Sequence, residues 1–87
     1  MYIVVQHAIS NPAEFWTAAQ QALPNLPGHL KLHHTFPTED GRSAFCVWEA
    51  ASVEQVKNLL EPMLGRVSSN SYYQVPNKEG ISVPTLT

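Results

Sequence analysis

Residues 31–50 read KLHHTFPTEDGRSAFCVWEA. Two runs rich in β-branched and aromatic side chains flank PTEDGR, where Gly41 is free to take a positive φ, so the stretch reads as a β-hairpin. It carries the adjacent pair His33 and His34, the single cysteine Cys46, and Trp48, one of two tryptophans. The strands on either side of the turn cover residues 29–36 and 43–50.

Outward from the hairpin, residues 2–9, YIVVQHAI, read as a first strand. Residues 11–23, NPAEFWTAAQQAL, read as a helix: Asn11 is the N-cap, Pro12 fits the first helical position, and Glu14 stands where a capping box needs its carboxylate. Phe15, Ala18, Ala22 and Leu23 recur on one face, and Pro24 ends the helix. After the hairpin, Ser52 caps a second helix with Gln55 at the capping-box position. Val53, Val56, Leu60, Met63 and Leu64 form its apolar face, Pro62 removes the helical partner of the Asn58 carbonyl, and Gly65 is the stop. Residues 70–76, NSYYQVP, close the pattern as a fourth strand. The order β-α-β-β-α-β with two right-handed crossovers gives an α+β, ferredoxin-like sandwich. Its antiparallel four-stranded sheet has the order 4-1-3-2, with both helices on one face. The domain is expected over residues 1–76, followed by a C-terminal arm over 77–87.

Pairing Pro37 with Arg42 across the turn sets His34 opposite Phe45, Leu32 opposite Val47 and Leu30 opposite Glu49 on one side of the sheet. His33 opposite Cys46 and Lys31 opposite Trp48 then lie on the other side. The first set is mostly aliphatic and reads as the helix-covered core, joined by Ile3 and Val5. Gln6, His33, Cys46, Trp48 and Tyr72 or Tyr73 then share the open face with Val4. That face is half apolar, and only 14% of the 87 residues are charged against about 25% in ordinary domains. A second copy covering it would make a homodimer with a partly polar cavity between the sheets.

Five Lys+Arg and a net charge of −2 exclude the phosphate-neutralising surface of a nucleic-acid binder. No apolar run approaches the roughly 18 residues of a membrane span. The first residues, MYIVVQHAIS, lack the basic region of a signal peptide, and a lone cysteine fits a reducing, cytoplasmic setting.

The run GRSAFCVWEAASVEQVKNLL, residues 41–60, resembles a family of small ferredoxin-like proteins of unknown function within the dimeric α/β-barrel superfamily, a family with a nickel-binding member. Phe45-Cys46-Val47-Trp48-Glu49-Ala50 fits that family's aromatic-Cys-aliphatic-X-Glu-Ala strand, and NSYYQV resembles its closing strand. The resemblance implies a dimer. The family pattern also has two histidines four apart before the glycine that ends the second helix; Leu60 and Leu64 stand at those positions here.

Two functions follow. The first is a homodimeric binding or accessory protein whose cavity, lined by Gln6, His33, Trp48 and Tyr72, holds a small ligand. No cofactor is expected, with nickel or zinc on His33 and Cys46 as the metal variant. The alternative is a small isomerase or cofactor-free oxygenase-type enzyme using the same cavity, with His7 or His33 as base and Glu49 beside His7 as the carboxylate that raises its pKa. Against these stand plainer roles: a buried thiol, a polar pair at the sheet rim, and aromatic anchors of an interface.

Overall fold

A computed structural model of the chain describes residues 1–75. The arm expected over 77–87 lies outside the described residues. The elements are β1 (Tyr2–Ile9), α1 (Pro12–Ala22) with a single 3-10 turn after it (Leu23–Asn25), β2 (Lys31–Pro37), β3 (Ser43–Glu49), α2 (Val53–Leu64) and β4 (Ser68–Val75). The strands form one sheet in the order β2-β3-β1-β4, which is the ferredoxin-like arrangement read from its other edge. All three neighbouring pairs are antiparallel.

Local chemistry sets the helix ends. The Asn11 carboxamide accepts the Glu14 amide at 3.2 Å, and the Ser52 hydroxyl accepts the Gln55 amide at 3.2 Å. Each satisfies one of the orphan N–H groups at a helix start, worth about 1 kcal/mol. The side chain of Gln55 turns back and accepts the Ala51 amide at 3.1 Å. Along α2, Val56, Leu60 and Leu64 recur every fourth residue and are all buried, as the apolar stripe requires. The helix runs through Pro62 to Leu64. Gly65 caps it in ordinary right-handed geometry, φ −60°. Its value lies in space rather than in φ, because a Cβ there would stand 2.6 Å from the backbone oxygen of Glu61.

The hairpin departs from the expected register in two ways. The turn is longer: Pro37 pairs with Ala44, not with Arg42. Thr38 holds it closed, its amide donating to the Ser43 carbonyl at 2.9 Å and its hydroxyl accepting the Ser43 amide at 3.2 Å. The Asp40 carboxylate accepts the Arg42 amide at 3.0 Å, and Gly41 takes φ +74°. This two-residue shift preserves which side chains share a face. A bulge at His33 then moves Leu32 opposite Trp48 and Lys31 opposite Glu49.

The assignment of faces is reversed for β3. Ala44, Cys46 and Trp48 lie under the helices, with Cys46 6% and Trp48 3% exposed. Phe45, expected in the core, is 38% exposed, and Phe36 on β2 is 56% exposed. Ile3 and Val5 are fully buried, as expected, but they stand opposite Trp48 and Cys46. The reason is cross-strand register: β1 buries its odd-numbered residues and β3 its even-numbered ones, and the hairpin alone cannot reveal that match. Phe15, Val56, Leu60 and Leu64 complete the core above the sheet.

Gly65→Ala forces the Glu61 turn to shift against a methyl group. It should lower stability by about 1–2 kcal/mol. Urea unfolding checks this; an unchanged midpoint would mean that the turn yields at no cost.

Candidate functional site

The residues singled out in the sequence fall on two sides of the sheet. His7, Cys46, Trp48 and Tyr72 lie under the helices. Gln6, His33 and Glu49 lie on the open side.

On the helix side, β1 and β4 run antiparallel and bring His7 opposite Asn70. His7 Nδ1 lies 2.6 Å from Asn70 Oδ1. The Asn70 amide nitrogen donates to Glu61 Oε2 at 2.9 Å, so its oxygen is the atom left to face the imidazole. An amide oxygen only accepts, which puts the proton on Nδ1 and the lone pair on Nε2 of the neutral ring. The Tyr72 hydroxyl donates to the same Glu61 oxygen at 2.5 Å. The Ser68 hydroxyl lies 2.8 Å from Asn70 Oδ1 and 3.1 Å from the Leu64 carbonyl. Ser68, Asn70 and Tyr72 reach this one network because alternate residues of β4 share a face.

The electrostatics follow from that geometry. Burial pushes the His7 pKa below the ordinary imidazole value of 6.5, and the bond to Asn70 and the charge of Glu61 only partly oppose it. Hydrogen bonds from Tyr72 and then Asn70 hold the Glu61 carboxyl below the usual range. Burial first, and the Glu61 carboxylate second, push the Tyr72 phenol well above its usual range. Burial also raises the Cys46 thiol, whose Sγ lies 3.8 Å from the Thr35 hydroxyl. A thiol so placed stays protonated and is a poor nucleophile.

The same side of the sheet holds a cavity of about 130 Å³ under α1 and α2. His7, Phe15, Trp16, Leu32, Trp48 and Leu64 are among the residues that line it. Phe15 packs edge-on against both His7 (ring centroids 5.1 Å apart) and Trp16 (4.8 Å). The Trp48 indole N–H is buried and has no hydrogen-bond partner among the described residues.

On the open side, His33 Nε2 lies 2.9 Å from Glu49 Oε1, and its ring centroid lies 5.5 Å from that of Tyr2. The His33 contact holds the Glu49 carboxyl below the usual range. His34 stacks on Phe36 with ring centroids 5.5 Å apart. Tyr73, the other residue of the tyrosine pair, is 52% exposed.

Three expected groupings are therefore corrected. His33 and Cys46 cannot hold one metal ion within a protomer, because the bulge leaves His33 on the open side and Cys46 is in the core. Among the described residues, no three His, Cys, Asp or Glu side chains gather as a metal site would need. His7 and Glu49 do not meet: β3 runs antiparallel to β1, so His7 stands opposite Ala44 while Glu49 stands opposite Tyr2. Five residues separate those positions along β1, about 17 Å. Gln6, His33, Trp48 and Tyr72 do not line one cavity, since the sheet separates the first two from the last two. The carboxylate near His7 is Glu61, reached through Asn70. Neither stands out in the sequence. Glu61 sits in an unremarkable helical turn, and Asn70 shows itself only once β4 is paired with β1.

Neither known protein families, nor curated proteins, nor solved structures give a significant match to the chain. No helix among the described residues is long and apolar enough to cross a membrane.

The lowered His7 pKa has a measurable sign. Between its folded value and 6.5 the unfolded chain binds more protons, so stability falls as pH drops through that window. Wild-type protein should lose up to about 1.4 kcal/mol per pH unit there. His7→Gln should lack that slope while keeping the loss at lower pH from carboxylates such as Glu61. Denaturant unfolding across the pH range decides it; equal slopes in the two proteins would contradict the buried, neutral imidazole.

Proposed function

We propose that the chain works as a homodimeric binding or accessory protein, with two copies packing their open sheet faces together and a small ligand held between them. The observation that carries this reading is the open face itself. Phe36, Phe45 and Tyr73 are all exposed there, Val4 and Val47 are partly exposed between them, and Gln6 and Ser71 supply polar groups. An apolar surface of this kind on so small a chain marks an interaction site. A second copy suits it as occupant. Lys31 stands opposite Glu49 at one end, so the face carries both signs of charge and meets its own copy without net repulsion. Aromatic side chains are the usual anchors of such an interface. Gln6, His33 and the Glu49 carboxylate are the polar groups this arrangement offers a ligand. A metal bound there would draw on His33 and Glu49 from both copies, with nickel or zinc the ions suited to imidazole.

A second reading has its own support in His7. A neutral imidazole with Nδ1–H tied to Asn70 presents Nε2 as a base, as an isomerase or cofactor-free oxygenase-type enzyme would need. That site lies under the helices rather than between the sheets.

Sedimentation velocity tests the dimer. Wild-type protein should sediment as a dimer at micromolar concentration. Phe45→Lys should weaken association about 30-fold or more, the effect of losing about 2 kcal/mol at an interface anchor, with an unchanged circular dichroism spectrum. A wild-type monomer at that concentration would overturn the reading.

A further inference from the structure

The cavity under α1 and α2 lies within one protomer, and the sheet separates it from the face assigned to the dimer. Its volume of about 130 Å³ is close to the roughly 150 Å³ of an apolar cavity that stays dry and takes up one benzene ring. The atoms that face it are almost all apolar, and no Lys, Arg, Asp or Glu among the described residues lines it. The polar side chains in its lining are engaged elsewhere. His7 is tied through Nδ1 to Asn70, the Cys46 thiol and the Thr35 hydroxyl lie 3.8 Å from each other, and Gln20 is exposed on α1. Such a lining gives a water molecule too few of the polar partners it needs. The walls are instead rich in rings: Phe15 stands edge-on to both His7 and Trp16, and Trp48 adds a fourth. Leu23, 46% exposed, and the half-buried Leu26 belong to the same lining and give the cavity an apolar mouth.

We infer that this cavity is a binding site for a neutral, apolar molecule built on a single aromatic ring, benzene in its simplest form, held by contact with aromatic and aliphatic side chains and by no hydrogen bond. An unfilled space leaves its lining without partner atoms, and a ring of this size restores those contacts. Aromatic walls favour an aromatic guest, because ring edges and ring faces attract one another. A charged or strongly polar molecule finds nothing in the lining to replace the water it gives up, so it is shut out. The site is complete within a protomer and does not rest on the dimer reading.

The test uses the full chain and two rings of the same shape, benzene and pyrimidine. The nuclear magnetic resonance signals of the Leu32 and Leu64 methyl groups, both in the lining, report occupancy. Benzene at millimolar concentration should shift those signals saturably. It should bind about tenfold or more tightly than pyrimidine, whose ring nitrogens lose their bonds to water on entry. Ala19→Leu extends a lining side chain from α1 into the space and keeps a good helix former there; it should weaken benzene binding about tenfold or more. Phe45→Lys, on the other side of the sheet, should bind benzene like the wild type even where it abolishes the dimer, so the two proposals fail separately. The inference is overturned if benzene gives no saturable shift of the lining methyl groups. It is equally overturned if pyrimidine binds as well as benzene, or if Ala19→Leu binds benzene like the wild type. Should Ala19→Leu fail to fold, the comparison of the two rings on wild-type protein decides alone.

Discussion

Val5 stands between Cys46 on one side and Tyr72 on the other, and this register of the central strand governs the molecule. Because side chains alternate across a strand, one pairing decides the fate of three strands at once. Ile3, Val5 and His7 go under the helices with Ala44, Cys46 and Trp48 from β3 and with Asn70 and Tyr72 from β4. Val4 and Gln6 go to the open side with Phe45, Val47 and Tyr73. A slip of one residue between β1 and β3 would expose Trp48 and bury Glu49, and one between β1 and β4 would expose Tyr72 and take Asn70 away from His7. Both outcomes cost several times the ordinary effect of a surface change, so the register is strongly determined.

Burying His7 among apolar groups is the part of this arrangement that costs free energy, and the chain offsets it locally. The imidazole stays neutral, so no charge is desolvated, and Asn70 accepts the one proton it carries at Nδ1. Asn70 in turn is held by Glu61, whose carboxylate also takes the Tyr72 hydroxyl. The chain of bonds thus runs from a buried ring to an acid near the surface and ties α2 to two strands. Hydrogen bonds to a charged acceptor are stronger than neutral ones, which makes Glu61 the anchor of the network. The close packing at Gly65 serves the same anchor, because the backbone oxygen that leaves no room for a Cβ belongs to Glu61.

The element order, the strand topology and the helix caps were legible in the sequence because each has a local signature. Asn11 and Ser52 precede apolar stripes of helical period, and PTEDGR can hardly be anything but a turn. The faces were not legible for β3. SAFCVWE alternates large apolar residues with small or soft ones on both sides, so composition does not say whether Phe45 or Trp48 goes inward. Aliphatic Leu32 and Val47 favoured one answer; the pairing of β3 with β1, a contact far apart in sequence, imposes the other. The bulge at His33 was equally hidden, since nothing in KLHHTFP announces an extra residue. The candidate site suffered most from this. Cys46, Trp48 and His33 read as one cluster in the sequence, yet the sheet runs between His33 and the other two.

The bulge also explains why His33 and His34 do not alternate. A regular strand would send them to opposite sides. With an extra residue at His33, Leu32 keeps its place beside Trp48 in the core while His33 reaches Glu49 and His34 stacks on Phe36, both on the open side. The irregularity therefore keeps two imidazoles out of the apolar layer without giving up a core leucine. It also concentrates aromatic rings and one carboxylate contact on the face left uncovered by helices. Under the helices, by contrast, a single imidazole remains, fixed in one tautomer by Asn70. The sheet thus separates two chemically different surfaces: an open one on which Phe36, Phe45 and Tyr73 are exposed, and a helix-covered one that buries His7 and Trp48.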